Sequence, residues 1–198
     1  MSAEVAIVGS GGANIASLLF ALERLDSRAT LTTDADTLVG ASRVILPGVG
    51  AAADAMSRLQ ALELIEVLRS LTQPVLGICL GMQLLAQGSA EDEADCLGIT
   101  SDRCTRLAQS AELPVPHMGW NTLTSVTKSP LLRGVEPGEH CYFVHSYALP
   151  ISDDTIAGCD YGRPFSAAVQ HDNFFGTQFH PERSAETGAR ILQNFLQL

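Results

Sequence analysis

The chain has 198 residues, with 46% hydrophobic and 17% charged content, a balance that suits a folded core and excludes a disordered chain. Its formal net charge of −10 argues against a nucleic-acid partner, because a surface that tracks phosphates needs excess Lys and Arg. Five cysteines without a C-x-x-C pair fit a reducing compartment and not a disulfide framework. They show no metal-ligand spacing, so no metal and no cofactor are expected. The first residues, Met1-Ser2-Ala3-Glu4-Val5-Ala6-Ile7-Val8, lack a basic region ahead of a long apolar stretch. No signal peptide, no membrane span and a cytoplasmic location are therefore expected.

In chain order, residues 4–8 predict a strand that enters the loop Gly9-Ser10-Gly11-Gly12. That loop fails the G-x-G-x-x-G pattern because position 14 is Asn, and no Walker lysine follows. It reads as a tight turn near the rim of a site. Residues 13–25 carry Ile15, Leu18, Leu19, Leu22 and Leu25 at helical spacing. Strands are predicted over residues 29–33 and 43–46, the second ending at Pro47-Gly48-Val49-Gly50. Alanine-rich residues 51–71 predict one helix. An apolar strand over 74–78 precedes residues 82–87, whose helix-forming composition stops at Gly88. Repeated strand–helix units imply a parallel α/β sheet, with ligands at the carboxyl ends of its strands.

The second half is richer in strands, predicted over residues 121–126, 141–148, 155–159, 165–170 and 174–179. His171-Asp172-Asn173 suits a hairpin turn between the last two. Ser184 is placed to cap a final helix with Ile191, Leu192, Phe195 and Leu196 on one side. No repeat or linker divides the chain, so residues 1–198 read as one domain.

Two short motifs carry chemistry. Gly77-Ile78-Cys79-Leu80-Gly81 is the cysteine counterpart of the G-x-S-x-G elbow, which presents a nucleophile between a strand and a helix. Glycines two positions either side remove the collisions of a tight, strained turn. The helix start after Cys79 favours thiolate over thiol, and the Leu80 N–H is a candidate oxyanion donor. Read alone, the stretch equally suits a buried structural cysteine. The second motif is His180-Pro181-Glu182, in which period two puts the imidazole and carboxylate on one face of an extended segment. Together with Cys79 they have the composition of a nucleophile, its base and the acid that orients the base. Val49 or Gly50, in a loop with two glycines, is the candidate second oxyanion donor, and the same glycines make a peptide-plane flip inexpensive.

P-G-V-G, G-I-C-L-G-M-Q and F-H-P-E-R-S together resemble the class I glutamine amidotransferases. Pro116-His117-Met118-Gly119-Trp120-Asn121 and Tyr142-Phe143-Val144-His145-Ser146-Tyr147 resemble the branch that serves as glutaminase subunit of imidazole glycerol phosphate synthase. The resemblance spans nearly the full chain, in order. It implies a flavodoxin-like, doubly wound, mostly parallel sheet with an added β-rich second half. It also implies a triad of Cys79, His180 and Glu182 that splits L-glutamine. Glutamine would be held by Gln83, Gly50, Ser146 and Tyr147, and ammonia passed to a (βα)8-barrel cyclase subunit in a heterodimer. That cyclase makes imidazole glycerol phosphate in histidine biosynthesis. Trp120, with Met118 and Asn121, would lie at the subunit interface, where Trp is an enriched anchor. His117 and His145 suit structural hydrogen bonds as well as signalling between subunits. Relatives commonly carry an aspartate in the first loop, where this chain has Gly9-Ser10. Other readings are the amidotransferase subunit of anthranilate or aminodeoxychorismate synthase, a non-catalytic flavodoxin-like regulator, and a cysteine peptidase.

Overall fold

Strands from both halves of the chain share one large sheet. The computed structural model describes residues 5–9, 11 and 15–198. The first half supplies β1 (Val5–Val8), α1 (Ile15–Glu23), β2 (Ala29–Thr32), α2 (Ala35–Gly40), β3 (Arg43–Gly48), α3 (Ala52–Ala61), α4 (Ile65–Ser70), β4 (Val75–Cys79) and α5 (Leu80–Gln83). The second supplies β5 (Gly88–Ser89), β6 (Ala94–Asp95), β7 (Arg103–Arg106), β8 (His117–Val126), β9 (His140–His145), β10 (Tyr147–Ala148), β11 (Thr155–Asp160), β12 (Pro164–His171) and β13 (Phe174–Thr177). A 3-10 turn (Pro181–Arg183) and α6 (Ala185–Phe195) close the chain. The large sheet runs β2-β1-β3-β4-β13-β12-β11-β8-β9 and a small one runs β10-β7-β5-β6.

Pairing is parallel from β2 to β13 and antiparallel from β13 to β9. β1, β3 and β4 are buried along their whole length, as parallel strands covered on both faces must be. Alternation sends Val5 and Ile7 to a core shared with α1 and α6, and Ala6 and Val8 to one shared with α2, α3 and α4. In this register Gly48 pairs with Cys79, so the Pro47–Gly50 loop and the elbow leave adjacent strand ends together. That crevice is where an open α/β sheet takes its ligand.

Several expectations are corrected. The single helix over 51–71 is two, broken at residues 62–64, where Glu63 adopts φ +56°. The break lets Leu59, Leu64 and Leu68 all face the same core. α2 was not expected; it is too short to show periodicity, but Asp34 caps it by accepting from the Thr37 N–H at 2.8 Å. The helix expected over 82–87 begins at Leu80 and ends at Gln83. Beyond it the carbonyls of Leu84, Leu85 and Ala86 accept from Leu97, Ile99 and Gly98, which holds the segment against the loop that follows β6. The strand expected over 141–148 is two, because the chain changes sheets at Ser146. The last strand stops at Thr177, two residues short of Phe179.

Ser184 stands at the start of α6 without capping it. Its Oγ donates to the His180 carbonyl at 2.7 Å and accepts from the Tyr142 N–H at 3.0 Å. The hairpin turn is as expected. His171 pairs with Phe174, Asp172 takes φ +50°, and the Asn173 amide donates to Leu71 and Gln73 carbonyls. Ser10, Gly12, Ala13 and Asn14 of the first loop lie outside the described residues.

Candidate active site

β4 delivers Cys79 at φ +55° and ψ −111°, a strained left-handed backbone, and α5 starts at the next residue. The flanking glycines have a measurable reason. A Cβ on Gly77 would lie 2.6 Å from the Gly81 carbonyl oxygen, and one on Gly81 would overlap the Leu46 carbonyl. With only four residues, α5 has little macrodipole, so any electrostatic help to the sulfur comes from the first-turn N–H groups themselves.

His180 reaches the same place from the other side. Its backbone N–H donates to the Tyr142 carbonyl at 2.9 Å and its carbonyl is held by Ser184. The chain then tightens into the 3-10 turn that begins at Pro181, and the turn, not an extended segment of period two, brings Glu182 back to the ring. His180 Nδ1 lies 2.8 Å from Glu182 Oε1, with side chains 14% and 5% exposed. Burial alone would push the imidazolium down, but Cys79 and Glu182 outweigh it through hydrogen bonds and charge and lift His180 to about 10. The Cys79 thiol itself is aimed at the Val144 carbonyl, 3.6 Å away. The sulfur thus stands between the Val144 carbonyl and the His180 ring, which holds the proton once it has left the thiol. Glu182 Oε2 is buried without a hydrogen-bond partner among the described residues, beside a cavity of about 20 Å³ that Leu18, Val49 and His180 also line.

In front of Cys79 lies a cavity of about 250 Å³. Of the residues expected at the site, Val49, Gly50, Cys79, Leu80, Gln83, Ser146, Tyr147 and His180 line it, and Glu182 stands behind His180. Glu91, Pro116, Val144 and His145 also line it and were not among those expected. Glu91 arrives on the turn between β5 and β6, where it accepts from the Ala52 N–H at 3.0 Å. Only the topology of the small sheet locates it, since no motif surrounds it in the sequence.

Both donor hydrogens of Gln83 are engaged, one by the Tyr147 carbonyl and one by Gln178 Oε1, each at 2.9 Å. Its Oε1 is therefore what it can turn toward a ligand. The Tyr147 carbonyl also accepts from His145 Nδ1 at 2.8 Å. A carbonyl cannot donate, so the proton of His145 sits on Nδ1, and Nε2 accepts from His117 Nδ1 at 3.0 Å. His117 Nε2 in turn faces the Asn121 amide at 3.3 Å. Burial pushes His145 down to about 3 and His117 to about 4, so both stay neutral. The two histidines form a structural relay of one polarity, and its His145 end lines the same cavity as Cys79 and His180.

Of the three residues expected at an interface, Met118 and Trp120 are 64% and 53% exposed on β8. Trp120 stands edge-on to Tyr142, whose ring lies under the Arg183 guanidinium at 4.5 Å. Asn121 turns its amide inward to the Asp160 carbonyl. Among the described residues, no group of three or more His, Cys, Asp or Glu side chains is arranged to hold a metal ion, and no helix is long and apolar enough to cross a membrane.

A strained cysteine elbow at the end of a parallel strand, facing a His–Glu pair, defines a class of thiol-dependent amide-splitting enzymes. The family model described as "Glutamine amidotransferase class-I" matches residues 14–198, and the chain belongs to that family. It is 48% identical to the imidazole glycerol phosphate synthase subunit HisH of Vibrio cholerae, with 100% of both chains covered. The subunit of the same name from Xylella fastidiosa is 53% identical, over 98% of each chain. Among solved structures, PurLQS from Thermotoga maritima superposes with a TM-score of 0.73 at 21% identity, covering 100% of this chain and 99% of that one, which shows the shared fold.

Proposed function

We propose that the chain is the cytoplasmic glutaminase subunit of an imidazole glycerol phosphate synthase, acting as one domain. In this reading it hydrolyses L-glutamine and hands ammonia to a cyclase subunit. One observation carries the chemistry: the Cys79 sulfur and the Glu182-held imidazole of His180 open onto one cavity of amino-acid size. The two HisH relatives, each near half identical over almost the whole chain, support the choice of synthase.

The steps follow from proton positions. With Nδ1 bonded to Glu182 and its charged form favoured by both neighbours, His180 already holds the thiol's proton on Nε2 as sulfur attacks the side-chain amide carbon of glutamine. Backbone N–H groups of Leu80 and of Val49 or Gly50 hold the oxyanion. The imidazolium returns its proton to the departing nitrogen, ammonia leaves, and the glutamyl thioester remains on Cys79. Water, deprotonated by His180, then releases glutamate. Gln83, Gly50, Ser146 and Tyr147 hold the substrate, while Trp120, Met118 and Asn121 belong to the cyclase-facing surface.

The test is Cys79→Ala in the complex with a barrel cyclase. Glutamine-dependent product formation should fall by about 10⁶, to background, while added ammonium still supports the cyclase reaction. Glutamine turnover near the wild-type rate in that variant would refute the assignment. Turnover with a different acceptor synthase, and none with the cyclase, would move the chain to another branch of the family.

A further inference from the structure

Once its proton has gone, the sulfur has the His180 imidazolium on one side, and the triad supplies it no neutral side-chain donor on the other. We propose that Gln178 supplies one, as a positioning residue that clamps Cys79 from beneath the cavity. This rests on the catalytic reading of Cys79 given above.

Gln178 follows the end of β13, two residues before His180, and is fully buried. A buried primary amide can be turned either way, but here its direction is determined. The Tyr147 carbonyl only accepts, which puts Gln83 Nε2 against it. The second hydrogen of that same nitrogen points to Gln178, whose Oε1 must then be the near atom, at 2.9 Å. Gln178 Nε2 is left facing Cys79 Sγ at 3.8 Å. Among the described groups around the sulfur, Val144 offers a carbonyl and His180 a ring whose proton is shared with the thiol. Gln178 contributes an N–H whatever the ionisation of the sulfur.

The donor has a distinct consequence for each state of the sulfur. A neutral thiol is a weak acceptor, and the contact is long. A thiolate draws the same N–H into a charge-assisted bond, which offsets the repulsion between the new charge and the Val144 carbonyl. The clamp also ties the nucleophile to the cavity wall, because Gln83, which orients Gln178, lines that wall. A ligand donating to Gln83 Oε1 polarises the amide and strengthens its hold on Gln178.

Gln178→Met keeps the length of the side chain and removes the donor, and Gln178→Glu keeps an acceptor for Gln83 while placing oxygen against the sulfur. The experiment follows alkylation of Cys79 by iodoacetamide against pH in the full-length protein, with Cys79→Ala as the blank for the other four cysteines. For each variant that keeps the wild-type circular dichroism spectrum, the midpoint should move up by about one pH unit, the shift one hydrogen bond to a charged group sustains. In the cyclase complex, kcat for glutamine should fall about tenfold or more while KM changes less than threefold. Coincident alkylation profiles for wild type and both variants would overturn the clamp, as would a change confined to KM. A wild-type complex that hydrolyses no glutamine, with the alkylation shift still present in both variants, would overturn the proposed function and support the clamp.

Discussion

At the scale of single residues, Glu182 is the most informative neighbour of the nucleophile. One oxygen fixes the His180 tautomer and the other is buried without a partner among the described residues. Its charge is one of the causes that hold the imidazolium well above the ordinary histidine range. Glu182→Gln keeps the shape and removes the charge. We expect kcat to fall by roughly 10⁴, less than for loss of the nucleophile, by analogy with the acid of a serine-protease triad. The pKa of His180, followed by NMR, should drop at the same time. An unchanged imidazole titration in Glu182→Gln would show that the carboxylate does not set the ring's charge.

At the scale of elements, the elbow is the part most exposed to small changes. Gly81→Ala drives a methyl group into the Leu46 carbonyl, and backbone cannot move aside as a flexible side-chain tip can. An overpacking cost of roughly 2–3 kcal/mol is expected, or a fall in Tm of about 5–10 °C by calorimetry. A Tm within about 1 °C of wild type would mean that the elbow relaxes freely. The same element shows what was legible beforehand. Strand, nucleophile and flanking glycines are contiguous in sequence, so short-range sterics announce them. Gln178 and Glu91 were not legible as site residues, because the first matters through an amide 95 residues away and the second through a turn of the small sheet. The break at Glu63 and the sheet change at Ser146 escaped notice for a related reason. Each is imposed by the core on which the segment lands, and neither carries a Gly or Pro at the point of change. The long parallel strands were readable because burial on both faces leaves an unbroken apolar run.

At the scale of the whole molecule, the buried histidines set the stability profile from both sides. His117 and His145 titrate lower in the folded protein than in the unfolded chain. Their contribution is complete above about pH 6.5 and is lost as pH falls toward about 4 and about 3, because the unfolded chain takes up protons that the folded pair refuses. His180 works in the opposite sense: its contribution is complete below about 6.5 and is lost as pH rises through about 10. His171, lifted by its hydrogen bond to Asp154, adds to that alkaline loss. The histidine contributions therefore peak near pH 6.5. Urea unfolding at pH 6.5 and pH 5 should show a smaller loss in His145→Gln than in wild type, and equal losses would rule out the pair as the source.

The change of sheet at Ser146 has a mechanical consequence. His145 is laced into one plate and Tyr147 into another, so the wall of the cleft is a seam between two sheets. Tyr147 is tied across that seam, its carbonyl accepting from Gln83 beside the sulfur and from His145 in the greater plate. The gape of this jaw is thus pinned at one oxygen that both plates share, next to the cutting edge.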